Sequence, residues 1–343
     1  MKRLRILTFC SILLAAAIFF FKKRNPTTIP AGEGLVIKKE WLTQNKNPLT
    51  PGNDCRPADQ TFLTFPEWYL VFSPEEQANY FKQHTATTFP FMSHTAQIWE
   101  SYKIVNDQIK DNFPVNTGYH FMIWVIGSSA SVEYAIKSWY EVIVGRITDT
   151  YDVKTEEDKF NATFTQEYVD FIKERPWYEF DFKSRLKTLW STSFFGKNIF
   201  RKVERRYILT SELLVKYGYG KLIGLGTKTV YEEALPTTAV ILENDSLRFL
   251  PRYDRFAKSV TSLANEGHRF KEIAGNNSAI LITVLEAADS ETNFQNAQTV
   301  FIQPLSSDPS LKRVALAIPV TSLNELLLNF EKENIKIEHV FDY

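Results

Sequence analysis

Three rhythms of hydrophobic and polar positions follow one another along this chain, and each predicts a different structure. Ile6 to Phe21 is a run of 16 residues without a charge, preceded by Lys2, Arg3 and Arg5 and closed by Lys22, Lys23 and Arg24. From Thr61 a helical period takes over. Phe91, Ile98, Tyr102, Val105 and Ile109 share one face, and Phe160, Phe164, Tyr168, Phe171 and Ile172 repeat the spacing until Pro176 stops it. Beyond Pro236 short strand-like segments appear: Thr237 to Leu242, Phe270 to Ile273, Ile280 to Leu285, Thr299 to Ile302, Val314 to Ile318 and Ile335 to Phe341. Two helical patterns interrupt them, one on Tyr253, Phe256, Val260, Leu263 and Ala264, the other on Leu323, Leu326, Leu327 and Phe330.

Tyr119 to Arg146 is the longest apolar run after the N-terminal one. Read as a helix, it carries Gly127, Ser131 and Ala135 on one stripe, where small side chains admit a second helix. Glu133 and Lys137 stand in the favourable order for an ion pair along a helix. The uncharged core, Phe121 to Val132, is shorter than the about 20 residues that a bilayer requires, so a buried helix is expected. The alternative, a second span over Tyr119 to Tyr140, would place the basic stretch beyond it on the cytoplasmic side.

Thr64 with Glu67, Ser73 with Pro74 and Glu76, and Ser322 with Glu325 match the capping-box pattern and predict helix starts. These signals divide the chain into a signal-anchor or transmembrane helix (1–24), a Pro- and Asn-rich tether (25–60), a mainly helical, aromatic-rich domain (61–234) and a C-terminal α+β sandwich (235–343). The last has an element order like that of a ferredoxin-like fold, with both helices on one face of an antiparallel sheet.

Composition narrows the function. The 343 residues hold 14% aromatics, and 40 acidic side chains balance 40 basic ones, so no global field draws the chain to nucleic acid, and none is expected as a partner. Cys10 lies in the N-terminal run and Cys55 beyond it, which gives no disulfide framework. The run ends in Ile18 to Phe21 rather than in a small-residue cleavage site, which favours an uncleaved anchor with the body on the non-cytoplasmic side.

Between Phe182 and Lys221, basic residues outnumber acidic ones and alternate with aromatics. Lys183, Arg185, Lys187, Trp190, Lys197, Arg201, Lys202, Arg205 and Arg206 are the candidates for a surface that lies on anionic lipid. Catalytic motifs are missing: there is no phosphate-cradling glycine loop, no nucleophile elbow and no Cys-X-X-Cys, and no cofactor or metal is implied. Glu67, His94, His120 and Glu133 are the candidate polar groups should the helical domain hold a reactive site. The expected function is a membrane-anchored, non-catalytic component with lipid and a possible protein as partners. An enzyme or carrier that takes an apolar, lipid-like ligand is the competing expectation.

Overall fold

The computed structural model describes residues 27–30, 37–150, 154–193, 197–230, 237–290, 294 and 296–342. The expected anchor, Phe194, Phe195 and the junction at 231–236 lie outside these residues. Within them the chain is helix and antiparallel sheet, an α+β architecture.

The helices are α1 (Gln60–Gln83), α2 (Phe91–Ile109), α3 (Thr117–Tyr140), α4 (Glu156–Ile172), α5 (Phe182–Ser191), α6 (Ile199–Val230), α7 (Asp254–Asn265) and α8 (Leu323–Lys332). α3 runs on through a π turn, Glu141–Gly145, and one further α turn, Arg146–Thr148. The strands are β1 (Ile29–Pro30), β2 (Thr237–Leu242), β3 (Leu247–Pro251), β4 (Phe270–Ile273), β5 (Ala279–Ala287), β6 (Gln298–Pro304), β7 (Leu311–Pro319) and β8 (Lys336–Val340).

Two sheets result, ordered β1–β6–β7–β5–β8 and β3–β2–β4. A ferredoxin-like arrangement would keep its strands in one sheet; here β2 leaves it. The turn after Leu242, with Asp245 in the left-handed region at φ 62°, returns β3 antiparallel along one edge of β2, while β4 takes the other. In the five-stranded sheet, Ile280, Ile282, Val284, Val314, Leu316 and Ile318 face α7 and α8. The opposite side, with Ala279, Leu281, Ala315 and Ala317, receives the phenylalanines of α1, and Phe65 meets Phe301 edge-on at 4.7 Å. Alanines there leave room for those rings. Because both faces are covered, β5 and β7 read as nearly continuous apolar runs instead of alternating ones.

The capping boxes expected within 64–76 do not start helices. α1 is one helix that passes through Pro66 and Pro74, and Ser73 and Glu76 spend their polar atoms on other elements. Interior prolines cost a helix about 3 kcal/mol or more, and burial against α2, α3, α4 and β5 offsets this. Ser322 likewise makes no side-chain cap, since α8 grows out of the 3-10 turn Val320–Ser322. The segment read as a tether packs onto the body at residues 27–30, where β1 pairs with β6, and again from Ile37 onward. Ile37 and Leu42 are buried, and Asn45, Leu49 and Thr50 all bond to the Glu272 carboxylate on β4.

Candidate functional site

His94, on α2, is fully buried where α1, α2 and the β6–β7 connection meet. Its Nδ1 lies 2.9 Å from Ser73 Oγ and 3.0 Å from the Tyr69 hydroxyl, and its Nε2 lies 3.1 Å from Ser306 Oγ. Tyr69 donates to Gln97 Oε1, so its hydroxyl can only accept at Nδ1, while the Ser73 and Ser306 hydroxyls can serve either tautomer of the ring. Burial, with the charge of Arg313, lowers the imidazole pKa to about 3, so the ring is neutral. Glu76 Oε2 is 3.7 Å from Nε2 but accepts a 2.7 Å bond from the Ser306 backbone, and Arg313 pairs with Glu76 and, through two nitrogens, with Glu338. Ser73, His94 and Glu76 thus have the residue types of a nucleophilic triad. They are nevertheless closed in by Tyr69, Gln97 and Tyr134, with exposures of 1%, 0% and 2%. The set ties the helices to the sheet.

The other candidates lie in three separate networks. Glu67 accepts from the Tyr119 hydroxyl, which also meets Thr64 at 2.8 Å; burial raises the Glu67 pKa despite that bond and the nearby Arg252. His120 Nδ1 is 2.8 Å from the Tyr102 hydroxyl and borders a pocket of about 210 Å³ that it shares with Asp59, Asn106 and Lys110. Burial pushes the Asp59 carboxyl up to about 6 and lowers the His120 pKa, so this small pocket pairs a readily protonated acid with a neutral base. Asp59 drew no notice in the sequence, where it is one polar residue ahead of a helix.

Glu133 joins Lys137 of its own helix to Glu212 and Lys216 of α6, with contacts of 2.8–3.1 Å. Burial raises the Glu133 pKa, but Lys216 and Lys137 outweigh it and bring the value down to about 2. The ladder continues with Tyr140 stacked on Tyr207, Glu141 paired to Arg205, and Arg201 bonded to the Gly145 carbonyl, so α3 and α6 run antiparallel. Apart from Tyr207, which is exposed, these groups point between the helices.

The basic stretch divides in two. Lys183, Lys187 and Lys197 are exposed, Trp190 is 56% exposed, and Arg185 pairs with Glu167. The remaining four turn inward. Arg201 pairs with Asp158 and Glu204, Arg205 with Glu141 and Glu204, and Arg206 with Glu157, while Lys202 reaches the Ser193 carbonyl. The acids that receive the arginines come from α4 and the π turn as well as α6, which is why a local charge count could not reveal the cluster. Gly145 is part of it: a Cβ there would overlap Glu141 Oε2 and stand 3.3 Å from Arg205 Nη2.

What the sequence missed most is the far side of α3 and α6. The exposed residues of α3 from Thr117 through Ile143 include Phe121, Trp124, Val132, Ile136 and Trp139, and none is charged. The same holds on α6 from Ile199 to Tyr219, with Phe200, Val203, Tyr207, Leu214 and Val215 exposed. At 1.5 Å per residue the strips are about 40 Å and about 30 Å long. The expected burial of α3 is therefore only half realised: Ile123, Gly127, Ala130 and Tyr134 are buried, with Gly127 and Ser131 set under Trp99 of α2. The aromatic rings of the two strips that are about half exposed or more leave roughly 600 Å² in water, the size of the largest patch on a typical soluble monomer. The period that gives this face also gives a buried one, and only the packing partners decide which is which.

Among the described residues no group of His, Cys, Asp and Glu could hold a metal ion, and no helix is long and apolar enough to cross a membrane. Comparison of the chain with protein-family models, with curated proteins and with solved structures finds no match.

Proposed function

We propose that this chain is a membrane-anchored, non-catalytic membrane-surface protein whose body lies flat on the bilayer through the outer strips of α3 and α6. The carrying observation is the uncharged face itself, two antiparallel strips each at least as long as the hydrocarbon core is thick. Lipid is the occupant that the chain brings with it. The N-terminal apolar run ends at Phe21, and Thr27 is bonded to Glu100 on α2 through its backbone N–H and its hydroxyl. The five residues between, six steps from Cα to Cα, reach at most about 20 Å, so an anchored body stays against the headgroups. α2, which holds that attachment, also packs Trp99 onto Trp124 of the apolar face.

A flat orientation follows from the neighbours. α2 and α4 flank the pair and present Lys103, Asp107, Lys159 and Asp170 to water, so the pair cannot sink across the bilayer without them. Lys183, Lys187 and Lys197 supply cations for anionic headgroups, and Trp190 suits the interface. Glu67, His94, His120 and Glu133 sit in four networks, which gives no support to a lipid-like ligand held by them together.

The test uses the full chain with Cys10 and Cys55 replaced by alanine, and single bimane-labelled cysteines at Val132, Val215 or Asp170, in vesicles whose acyl chains carry bromine. Quenching at 132 and 215 but not at 170 is the expected outcome. Bimane that is insensitive to bromine at 132 and 215 would overturn the reading.

A further inference from the structure

Where the apolar face passes the π turn it opens into a cleft of about 700 Å³. Val144, Ile199, Phe200, Val203 and Tyr207 line it, with Thr148 and Glu204 at its polar end. We propose that this cleft holds one acyl chain of a membrane lipid. The inference rests on the bilayer-docked orientation and adds a specific ligand site to it.

Three observations carry it. The volume lies within the roughly 300–1,000 Å³ of small-molecule sites, and the walls are apolar, as such sites are. The polar end is already committed: the Glu204 carboxylate accepts from Arg205 Nε at 2.7 Å, Thr148 Oγ1 at 3.1 Å and Arg201 Nη1 at 3.4 Å, and its carbonyl accepts from the Tyr140 hydroxyl. An occupant therefore gains from burying carbon in the cleft more than from new hydrogen bonds. Third, the cleft is held open by its frame. The π turn and the arginine–carboxylate cluster fix α3 against α6 at this level, while Phe200, 82% exposed, and Val203 stand beside the opening with nothing described to cover them. Since the opening belongs to the surface that faces lipid, the apolar molecule in reach is a lipid chain.

The experiment places the full chain in vesicles that contain a phosphatidylcholine with a diazirine at the end of one acyl chain, irradiates, and maps the crosslinks. In the wild-type chain, labels are expected on 140–148 and 199–207 as well as on the outer strip around Val132 and Val215. Val203→Trp, which fills the cleft, should lower the cleft labels about tenfold and leave the outer-strip labels unchanged, which also shows that the variant is folded. Val144→Phe is the second filling variant should Val203→Trp lose the outer labels.

Labels on the outer strip without labels in the cleft, or cleft labels that neither filling variant lowers, overturn the cleft inference and leave the docking reading standing. No labels on either overturn both. Cleft labels displaced by added free palmitate would assign the site to free fatty acid and overturn the membrane-lipid occupant; labels that resist palmitate support it.

Discussion

His94 and His339 carry the clearest consequence of burial at the residue scale. Each imidazole is brought to about 3 in the fold, His94 by burial and Arg313, His339 by burial and Lys173. Unfolded, each titrates near its ordinary value of 6.5. Between those limits the unfolded chain binds the extra proton, so stability is complete above about pH 6.5 and falls as pH drops, by about 1.4 kcal/mol per pH unit per group. Asp59, pushed up to about 6 by burial, acts in the opposite sense as pH falls below that value. His339 stacks on Trp68 with ring centroids 4.1 Å apart, and its Nδ1 has no hydrogen-bond partner. His339→Phe should keep the stack and remove one titration. Denaturant unfolding between pH 7.5 and 5 should then show a shallower decline than the wild type, by one proton's slope, and an identical slope would contradict this account. Little of this was legible beforehand. His94 invited carboxylate partners, but its neighbours Ser73, Tyr69 and Ser306 lie 21, 25 and 212 positions away, and a single sequence does not show which distant polar residues converge.

At the scale of elements, strands and helices buried on a regular period were readable and irregular ones were not. β2, β4, β5, β6, β7 and β8, with α7 and α8, fall where alternation and helical spacing place them. β3 was missed because Leu247–Pro251 is an exposed edge whose sequence carries no alternation. On β8 a bulge opposite Thr283 and Val284 breaks the parity of the strand, so Ile337 packs on the α7 and α8 side while His339 and Phe341 face α1. Capping signals misled where the same side chains served the core. The π turn of α3 had no signal apart from Gly145, whose lack of a side chain lets the Glu141–Arg205 pair lie against the helix. Gly145→Ala should displace that pair and destabilise the protein by about 1–3 kcal/mol, the usual cost of disturbing a buried polar contact. Unfolding by denaturant measures it; a variant as stable as the wild type would mean that the π turn accommodates a methyl group and that Gly145 is not required there.

The whole molecule has two characters. Its five-stranded sheet is covered on both faces and the buried Arg201, Arg205, Arg206, Arg252 and Arg313 are paired with carboxylates, yet one side of the α3–α6 pair exposes a face that water does not favour. From Ile6 to Phe21 and the basic aromatic stretch the sequence raised the expectation of a membrane partner. It could not say that four of those basic residues turn inward, or that the longest internal apolar run leaves one face exposed. The most direct test is a nitroxide scan of the full chain in vesicles, with single labels at Phe121, Trp124, Val132, Ile136 and Val215 and at the buried Ile123, Ala130 and Leu213, each read for collisions with oxygen and with a water-soluble nickel chelate. The account predicts frequent oxygen and rare nickel collisions at the five outer positions, and rare collisions of both kinds at the buried three. Frequent nickel collisions at the outer positions would place the face in water, and rare collisions of both kinds there would mean that protein, not lipid, covers it; either result would contradict the account.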